Sequence, residues 1–348
     1  MPELFRPTIA RMRGYIPGEQ PQDSSYIKLN TNENPYSPPP LVLERLRAAC
    51  DSDLRLYPDP DALALRRKLA GVFAVEPAQI IAGNGSDELL NIIIRSFAGE
   101  GDKIAYPSPT YGYYKPLIDI QGAEAVPVEF PADYSLPVDL AAAGARITFL
   151  ANPNGPSGTL IPYDEVAALC AAVTGVLVVD EAYVDFSTGG CIRLIDDHPN
   201  AIVVRTMSKS FSLAGMRIGF AFAPVALVTG MWKVKDHYNI NRLSLIAAEA
   251  ALEEIDAMRT NAARVQKTRR RLSGQLREMG FYVWDSQANF VLARSNGDAA
   301  ALYEGLKQHK ILVRYFSEPP RLADCLRISI GTDAETDTLL DALNELLN

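Results

Sequence analysis

The sequence predicts an α/β protein with a large domain on a mostly parallel sheet and a smaller α+β domain. Between residues 80 and 222, short apolar segments alternate with segments of helical periodicity, which is typical of parallel sheets covered by helices. The segment 176–179 is apolar throughout, as expected for a strand buried on both faces. From residue 282 onward, strand-type segments outnumber helical ones, which indicates a separate α+β unit.

The first half of the chain begins with an arm and continues into the alternating region. Residues 1–40 are rich in proline and polar residues, and we interpret them as an extended arm. Two helices follow, with a turn segment between them. The predicted elements, in order, are helix 41–50, turn 54–60, helix 61–74, strand 80–82, helix 88–98, strand 103–106, helix 110–118, strand 125–128, strand 146–150, helix 163–173, strand 176–179, strand 201–204 and strand 217–222.

The second half begins with a long helical region at 227–279. The elements that follow it are strands 282–284, 289–292, 311–314 and 326–330, a helix near 298–309 and a last helix from Glu335. We therefore divide the chain into an arm at 1–40, a large domain at 41–255 and a small domain at 256–348. The arm is expected to pack with the small domain.

The composition is that of an ordinary globular protein and argues against two classes of function. The chain has 348 residues, of which 48% are hydrophobic, and its net charge is −8. Nucleic-acid binding as a main role is disfavoured, because a phosphate backbone requires a cationic face. The longest apolar stretch, 166–179, is interrupted by Thr174 and Gly175. It is shorter than the roughly 18 residues of a membrane span, so no membrane association is expected.

The cysteines and histidines predict no disulfide and no metal site. The four cysteines are far apart and form no CxxC pair, which is typical of reduced thiols in the cytoplasm. The N-terminal residues include several charges and no apolar leader, so a cytoplasmic location is expected. No metal is expected either, because the three histidines share no ligand spacing with each other or with the cysteines. These residues are Cys50, Cys170, Cys191, Cys325, His198, His237 and His309.

Lys209 is the most informative single residue. It follows the apolar segment 201–204, has Ser208 and Ser210 on either side, and precedes Arg217 by eight positions. A lysine there can form a Schiff base with a carbonyl, provided that its surroundings suppress its charge. The neighbouring hydroxyl groups and Arg217 could bind a phosphate. The same run is also compatible with a solvated turn after a strand.

A glycine-rich segment lies at the end of the predicted strand 80–82. Its sequence, 83–87, allows close backbone approach to a ligand, and the following helix directs free N–H groups outward. These features suit a phosphate. The alternative is a helix simply capped by Ser86.

Two further segments follow predicted strands. Asp180 ends an apolar strand, where a carboxylate requires a partner such as a protonated pyridine nitrogen. Tyr183, three residues later, could reach a neighbouring phenolate oxygen. Asp180 could instead cap the next turn. The segment containing Asn152 and Asn154 could supply amide donors or could be a plain loop.

Together these strand-end segments contain the groups needed to bind pyridoxal phosphate. They provide a phosphate cradle, an acid for the ring nitrogen, a phenol for the ring oxygen and a lysine for the aldehyde. Ligands of such sheets bind outside the carboxyl ends of the strands, where all four segments are expected.

The sequence resembles the fold-type I pyridoxal-phosphate-dependent aminotransferases, and within them most closely the histidinol-phosphate aminotransferases. The resemblance covers nearly the whole chain and implies a seven-stranded sheet in the large domain. The motifs that carry it are Asn-Glu-Asn-Pro at 32–35, Tyr-Pro-Asp-Pro at 57–60, Gly-Asn-Gly-Ser-Asp-Glu at 83–88, Pro-Thr-Tyr at 109–111, Asn-Pro-Asn-Gly-Pro-Ser-Gly at 152–158, Asp-Glu-Ala-Tyr at 180–183, Ser-Lys-Ser-Phe at 208–211, Leu-Ala-Gly-Met-Arg-Ile-Gly at 213–219 and Leu-Arg-Ile-Ser-Ile-Gly-Thr at 326–332.

The resemblance also implies roles for individual residues. The implied catalytic residues are Lys209, which bonds the cofactor aldehyde, Asp180, which faces the pyridine nitrogen, and Tyr183, which faces the ring hydroxyl. The implied remaining cofactor contacts are Tyr111, stacked on the ring, and a phosphate group of Ser86, Asp87, Thr206, Ser208 and Arg217. Many relatives have Asn where this chain has Gly155, so the ring-oxygen contact is assigned to Asn154.

Dimer and substrate contacts are implied in the same way. Tyr57 is similar to a tyrosine that reaches the cofactor phosphate of the partner subunit, which implies a homodimer with shared sites. Arg327 resembles the arginine that binds the substrate carboxylate. Arg314 and Tyr15 are candidate extra donors for a phosphate dianion, although each could be an ordinary strand or packing residue. Asn32 is included with the substrate residues.

The implied reaction moves an amino group between glutamate and imidazole-acetol phosphate, in histidine biosynthesis. The alternatives within the family are an aromatic-amino-acid aminotransferase and a threonine-phosphate decarboxylase-like enzyme. A non-catalytic pyridoxal-phosphate-binding module on the same fold is the alternative from another class.

Overall fold

A computed structural model describes residues 4–23 and 25–347. The strands of these residues are β1 (Ile27–Lys28), β2 (Ile80–Gly83), β3 (Lys103–Ser108), β4 (Glu124–Glu129), β5 (Ile147–Ala151), β6 (Val176–Asp180), β7 (Ala201–Thr206), β8 (Gly219–Phe222), β9 (Tyr282–Val283), β10 (Phe290–Arg294), β11 (Ile311–Leu312), β12 (Arg314–Tyr315) and β13 (Cys325–Ser329).

The α-helices are distributed along the whole described chain. They are α1 (Pro7–Arg11), α2 (Pro40–Ala49), α3 (Leu63–Phe73), α4 (Ser86–Phe97), α5 (Tyr114–Gln121), α6 (Tyr163–Ala172), α7 (Leu194–Asp197), α8 (Val225–Trp232), α9 (Arg242–Glu253), α10 (Ile255–Glu278), α11 (Ala299–Gln308) and α12 (Asp333–Leu347).

The large sheet confirms the predicted α/β class. Among the described residues it has seven strands in the order β2-β8-β7-β6-β5-β3-β4. Strand β8 is antiparallel to both of its neighbours, and the other pairings are parallel. The carboxyl ends of β3, β5, β6 and β7 therefore meet at one edge, where ligands of such sheets bind.

The central strand β6 is buried on both faces, which explains its uninterrupted apolar sequence. Leu177 and Val179 pack in the apolar cluster on one side of the sheet. Val176 and Val178 pack in the cluster on the other side. Successive side chains of a strand point to opposite faces, so only a fully apolar strand satisfies both clusters.

The C-terminal part forms a second sheet, and the N-terminal segment is joined to this part. The second sheet has the order β12-β13-β10-β9, and β1 pairs in parallel with β11. The pairing of β1 with β11 links the segment near Ile27 to the C-terminal strands. The domain boundaries given above stay predictions.

Three predicted elements differ from the structure. The helical region 227–279 is three helices, α8 to α10, because Asn241 caps α9 through the Ser244 N–H and starts a new helix. The predicted strand 311–314 divides at Val313, since Ile311 pairs with the arm and Arg314 pairs with Arg327. Local periodicity does not indicate the pairing partner of either strand.

The third difference concerns the helix predicted at 110–118, which begins only at Tyr114. The preceding residues form a loop at the carboxyl end of β3. Tyr111 is therefore presented from a loop and lies against a cavity at that edge of the sheet.

No described helix is long and apolar enough to cross a membrane.

Candidate active site

A cavity of about 520 Å³ lies at the carboxyl ends of the central strands. Its lining comes from the large sheet, from the arm and from the second sheet. The sequence-predicted site residues that line it are Tyr15, Asn32, Ser86, Asp87, Tyr111, Asp180, Tyr183, Thr206, Ser208, Lys209, Arg217, Arg314 and Arg327. The structure thus brings together thirteen predicted residues from segments that are far apart in the chain.

The first wall of the cavity is the start of helix α4. Gly85 precedes the helix with φ +84°, and a Cβ at that position would lie 2.6 Å from Nη2 of Arg217. Ser86 is the first helical residue rather than a cap, and no side chain of the described residues caps α4. The first N–H groups of the helix are therefore available to an anion.

Hydroxyl groups and a guanidinium group complete this wall. Arg217 donates from Nη1 to Oγ of Ser208 at 3.2 Å and from Nη2 to Oδ2 of Asp87 at 3.2 Å. Thr206 donates from Oγ1 to Oγ of Ser208 at 3.0 Å. The combination of helix N–H groups, two hydroxyls and one guanidinium suits a phosphate monoester.

Asp180 closes the base of the cavity at the end of β6. Its side chain is buried, and burial raises the pKa of the carboxyl to about 6, although a hydrogen bond from Tyr114 opposes the increase. Tyr114 donates to Oδ2 at 2.9 Å, and the Ala182 N–H donates to Oδ1 at 3.2 Å. Asp180 thus caps the next turn, as the alternative interpretation expects, and also lines the cavity.

Lys209 projects into the middle of the cavity. Its Nζ donates to the backbone carbonyl of Thr31 at 3.2 Å and lies 5.8 Å from the ring centre of Tyr183. Burial, together with the positive charge of Arg327, lowers the pKa of Lys209 to about 8. The unprotonated fraction of the amine near neutral pH is therefore much larger than that of an ordinary lysine, which favours a nucleophile or base.

Tyr183 and Tyr111 present phenol groups at the same edge. Tyr183 accepts a hydrogen bond from Nδ2 of Asn32 at 3.0 Å, and burial raises its pKa. Tyr111 donates to Oδ1 of Asp87 at 2.9 Å, and burial together with that carboxylate raises its pKa. Both phenols are therefore neutral hydrogen-bonding groups at neutral pH.

Asn32, which was predicted to bind substrate, has hydrogen-bond partners within the protein for both polar atoms of its side chain. Its Nδ2 donates to Tyr183, its Oδ1 accepts from Oγ of Ser329 at 2.9 Å, and its backbone has φ +58°. Its carbonyl also accepts from Asn289 at 2.9 Å. The side chain lines the cavity, but its hydrogen bonds orient Tyr183.

Two arginines of the second sheet form the outer wall. Arg314 and Arg327 are directly opposite each other in the antiparallel pair β12–β13. Arg327 donates from Nη2 to the carbonyl of Asn30 at 2.7 Å, and its buried Nε has no partner among the described residues. No ion pair of the described residues links either arginine to a carboxylate. Tyr15 lies at the same opening, with its ring 6.3 Å from that of Tyr111.

Two predicted residues do not line the cavity. Asn154 is buried behind the wall, where its Oδ1 accepts from Thr110 at 2.8 Å and its Nδ2 donates to Ser157 at 2.9 Å. These contacts hold the side chain of Asn154 in the loop, and its contact with a ring oxygen stays a prediction. Tyr57 is 80% exposed and stacks on Tyr238 with 4.4 Å between ring centres.

Three further contributors to the site are not identifiable from residue types alone. The carbonyls of Asn30 and Thr31 contact Arg327 and Lys209, and a backbone group leaves no trace in residue types. Tyr114 donates to Asp180 from helix α5. It belongs to the run Tyr111-Gly112-Tyr113-Tyr114, where periodicity marks a buried aromatic but not a hydrogen bond.

Comparisons with known proteins agree with this arrangement. The model of the family "Aminotransferase class I and II" matches residues 24–343. Histidinol-phosphate aminotransferase 1 of Nostoc sp. is 43% identical over 350 residues, covering 100% of this chain and 99% of that protein. The Geobacter sulfurreducens histidinol-phosphate aminotransferase is 44% identical over 353 residues, with 98% and 99% covered.

A solved structure is similar over the same length. The histidinol-phosphate aminotransferase of Sinorhizobium meliloti, solved in complex with pyridoxal-5'-phosphate, superposes with a TM-score of 0.90 at 29% identity. The superposition covers 100% of this chain and 98% of that chain.

Proposed function

Because this chain belongs to the class I and II aminotransferase family, we propose that it is a pyridoxal-phosphate-dependent histidinol-phosphate aminotransferase. It transfers an amino group between histidinol phosphate and 2-oxoglutarate, with imidazole-acetol phosphate and glutamate as the products. The observation that carries this assignment is the pair of arginines at the cavity mouth, which lack carboxylate partners among the described residues and suit a phosphate dianion.

The residues of the cavity fit the cofactor at each of its polar groups. Ser86, Asp87, Thr206, Ser208 and Arg217 would hold its phosphate, with the helix N–H groups and the guanidinium as donors. Asp180, Tyr183 and Tyr111 line the same cavity. Asp180 would serve the pyridine nitrogen, Tyr183 the ring hydroxyl and Tyr111 the face of the ring. When bound, pyridoxal phosphate supplies an electron sink for negative charge that develops at the substrate α carbon.

Lys209 is the residue that moves protons. Its Nζ, with a pKa lowered to about 8, takes a proton from the substrate α carbon as a general base and later returns a proton as an acid. The Thr31 carbonyl accepts from Nζ and keeps it in the cavity. Asn32 orients the Tyr183 hydroxyl, which keeps a second donor beside the reacting atoms.

Arg314 and Arg327 select the substrate. One position must accept the α-carboxylate of glutamate in one half-reaction and the phosphate of histidinol phosphate in the other. Arg327 offers the planar donors of its guanidinium to either anion. Arg314 and Tyr15 add a charge and a hydroxyl that favour the larger dianion. The cost of keeping two neighbouring cations is offset when the phosphate binds.

The active unit is a homodimer with shared sites. Tyr57 is on the protein surface rather than in the cavity of its own chain. Leu54 and Leu56, which are close to it in sequence, and Tyr238, on which it stacks, are exposed as well. An exposed apolar group of this kind favours contact with a second copy, in which Tyr57 reaches the partner's cofactor phosphate.

All four cysteines are free, which supports a cytoplasmic location.

A substrate comparison tests the proposal. Purified protein is supplied with pyridoxal phosphate and glutamate, and its turnover of imidazole-acetol phosphate is compared with that of phenylpyruvate. Decarboxylation of O-phosphothreonine is measured in parallel. We expect imidazole-acetol phosphate to give the highest kcat/KM. Brisk turnover of phenylpyruvate without turnover of imidazole-acetol phosphate would make the protein an aromatic-amino-acid aminotransferase instead.

A further inference from the structure

Tyr114 is a buried phenol whose only polar group points at Asp180. Its side chain is 0% exposed on helix α5, and its hydroxyl donates to Oδ2 of Asp180 at 2.9 Å. Asp180 is 5% exposed and lines the active-site cavity, whereas Tyr114 does not. Tyr114 therefore contacts the carboxylate from behind the cavity wall.

The ring of Tyr114 is fixed by its neighbours. It stacks on Phe149 of β5, with ring centres 4.7 Å apart and an interplanar angle of 14°. It also packs edge-to-face with Tyr111, at 5.4 Å and 88°, and with Tyr106, at 6.2 Å and 61°. A ring packed in this way has little freedom to move, so the core sets the position of its hydroxyl oxygen beside Asp180.

The negative charges around Asp180 disfavour its ionised form, so that form requires hydrogen-bond donors. Asp87 on α4 and Glu181 on its own segment both disfavour a negative charge on Asp180, and burial disfavours it more. Tyr183, on the same segment, is a neutral phenol whose pKa is raised by burial. The donors that favour ionised Asp180 are the Tyr114 hydroxyl and the Ala182 N–H.

The two donors bind different oxygens of the Asp180 carboxylate. Tyr114 engages Oδ2, while Oδ1 accepts the longer bond from Ala182 at 3.2 Å. A carboxylate oxygen can accept more than one hydrogen bond, so Oδ1 keeps capacity for a further donor.

We propose that Tyr114 is a positioning residue that keeps Asp180 ionised and turned so that Oδ1 serves the pyridine N–H of the cofactor. This proposal rests on the proposed function, since it requires that pyridoxal phosphate binds in this cavity. It differs from a purely structural role, in which Asp180 would merely satisfy a buried phenol. In the proposed role, removing the hydroxyl changes the affinity for the cofactor and its dependence on pH.

The test compares the full-length wild-type protein with Tyr114→Phe, each freed of cofactor. Equilibrium binding of pyridoxal phosphate is measured from about pH 5 to about pH 8, across the range in which a buried carboxylate titrates. We expect Tyr114→Phe to bind about tenfold more weakly at neutral pH, which is the effect of one lost bond to a charged group. The pH at which affinity is half lost should rise, because Asp180 becomes protonated more easily.

A matched control and a double variant isolate the contact. Tyr134→Phe removes the hydroxyl of another buried tyrosine, which packs with Phe130 and Trp284 away from Asp180, and should bind like wild type. In an Asp180→Asn background, Tyr114→Phe should weaken binding no further, because the two residues act through one contact.

Each result bears on the proposal. Binding of Tyr114→Phe that follows the wild-type pH profile would overturn it, as would a loss of folding in Tyr114→Phe, seen by circular dichroism, that Tyr134→Phe does not share. If the wild-type protein itself binds no pyridoxal phosphate, the proposed function is wrong, and that result is distinct from the first two.

Discussion

Arg314 and Arg327 are directly opposite each other across β12 and β13, and both line the cavity. Like charges in this arrangement repel. Burial and the charge of Arg314 lower the pKa of Arg327, although the electrostatic interaction with the nearby phenol of Tyr183 acts in the other direction. The described residues supply the Asn30 carbonyl to Arg327 and no carboxylate to either side chain. Under the proposed function, a phosphate dianion bound between them would offset this repulsion.

Arg314→Ala should therefore change the KM for one substrate much more than the KM for the other. The KM for histidinol phosphate should rise roughly 10- to 100-fold, the effect of one charged hydrogen bond, while the KM for glutamate changes much less. Arg327→Ala should weaken both. Steady-state kinetics in each half-reaction measures this. Arg294→Ala, on the neighbouring strand β10 and exposed, is the control and should leave both KM values unchanged. Equal weakening of both substrates by Arg314→Ala would contradict a phosphate-specific role.

Lys209→Ala should abolish transamination while the cofactor still binds. Removing a general base that is also a nucleophile lowers the rate on the order of 10⁴-fold, whereas the phosphate contacts of Ser208 and Arg217 persist. The measurement combines turnover with the absorbance of bound cofactor after gel filtration. Lys103→Ala, at an exposed position, should behave as wild type. Substantial turnover by Lys209→Ala would show that another group moves the proton.

The pKa of Lys209 predicts how the reactivity of its amine depends on pH. The amine reacts when it is unprotonated, and its pKa is lowered from 10.5 to about 8. Covalent capture of pyridoxal phosphate by the cofactor-free protein should therefore rise with pH and be half-maximal near that value. Trapping with borohydride and mass spectrometry measures the captured fraction. Because Arg327 contributes to the lowered pKa, Arg327→Ala should move the midpoint to higher pH. A midpoint near 10 in the wild type would contradict the buried amine.

The sequence identified most of the site because its polar residues follow strands whose ends must meet. Asp180 at the end of β6 and Lys209 after β7 were predictable in this way, and the similarity to known proteins confirms the predicted family. The contacts of Thr31 and Tyr114 were not predictable, since one is a backbone carbonyl and the other depends on the position of α5 against β6. Val313 divides two strands because their partners lie in different sheets, and local pattern carries no such information.

Arg205→Met should destabilise the protein, because it leaves Glu181 buried without its ion pair. Glu181 accepts from Nε of Arg205 at 2.8 Å and also accepts the Cys191 N–H. Removing one partner of a buried pair lowers the free energy of unfolding by about 3–5 kcal/mol. Burial already raises the pKa of Glu181, and without Arg205 it rises further. The folded state then binds more protons than the unfolded state, so the loss should grow as pH rises. Urea unfolding at two pH values measures it, with exposed Arg95→Met as the control.

Mixed dimers test whether two chains build each site. In a dimer of one Lys209→Ala chain and one Tyr57→Ala chain, one site carries both substitutions and the other carries neither. If Tyr57 serves the partner's cofactor, this mixed dimer regains a complete site, and its activity exceeds that of either parent variant.

The control combines Lys209→Ala with Asp180→Ala. Both residues line the cavity of their own chain, so every site of that mixed dimer lacks one of them and activity should not return. Separately tagged chains are unfolded together, refolded and purified by both tags before assay. Recovery in the first mixture but not in the second assigns Tyr57 to the neighbouring site. If neither mixture recovers while Tyr57→Ala alone is impaired, Tyr57 acts within its own chain, and the shared-site dimer is wrong. The exposed stack of Tyr57 on Tyr238 favours the first result, because an aromatic pair open to solvent gains most from burial against a second copy.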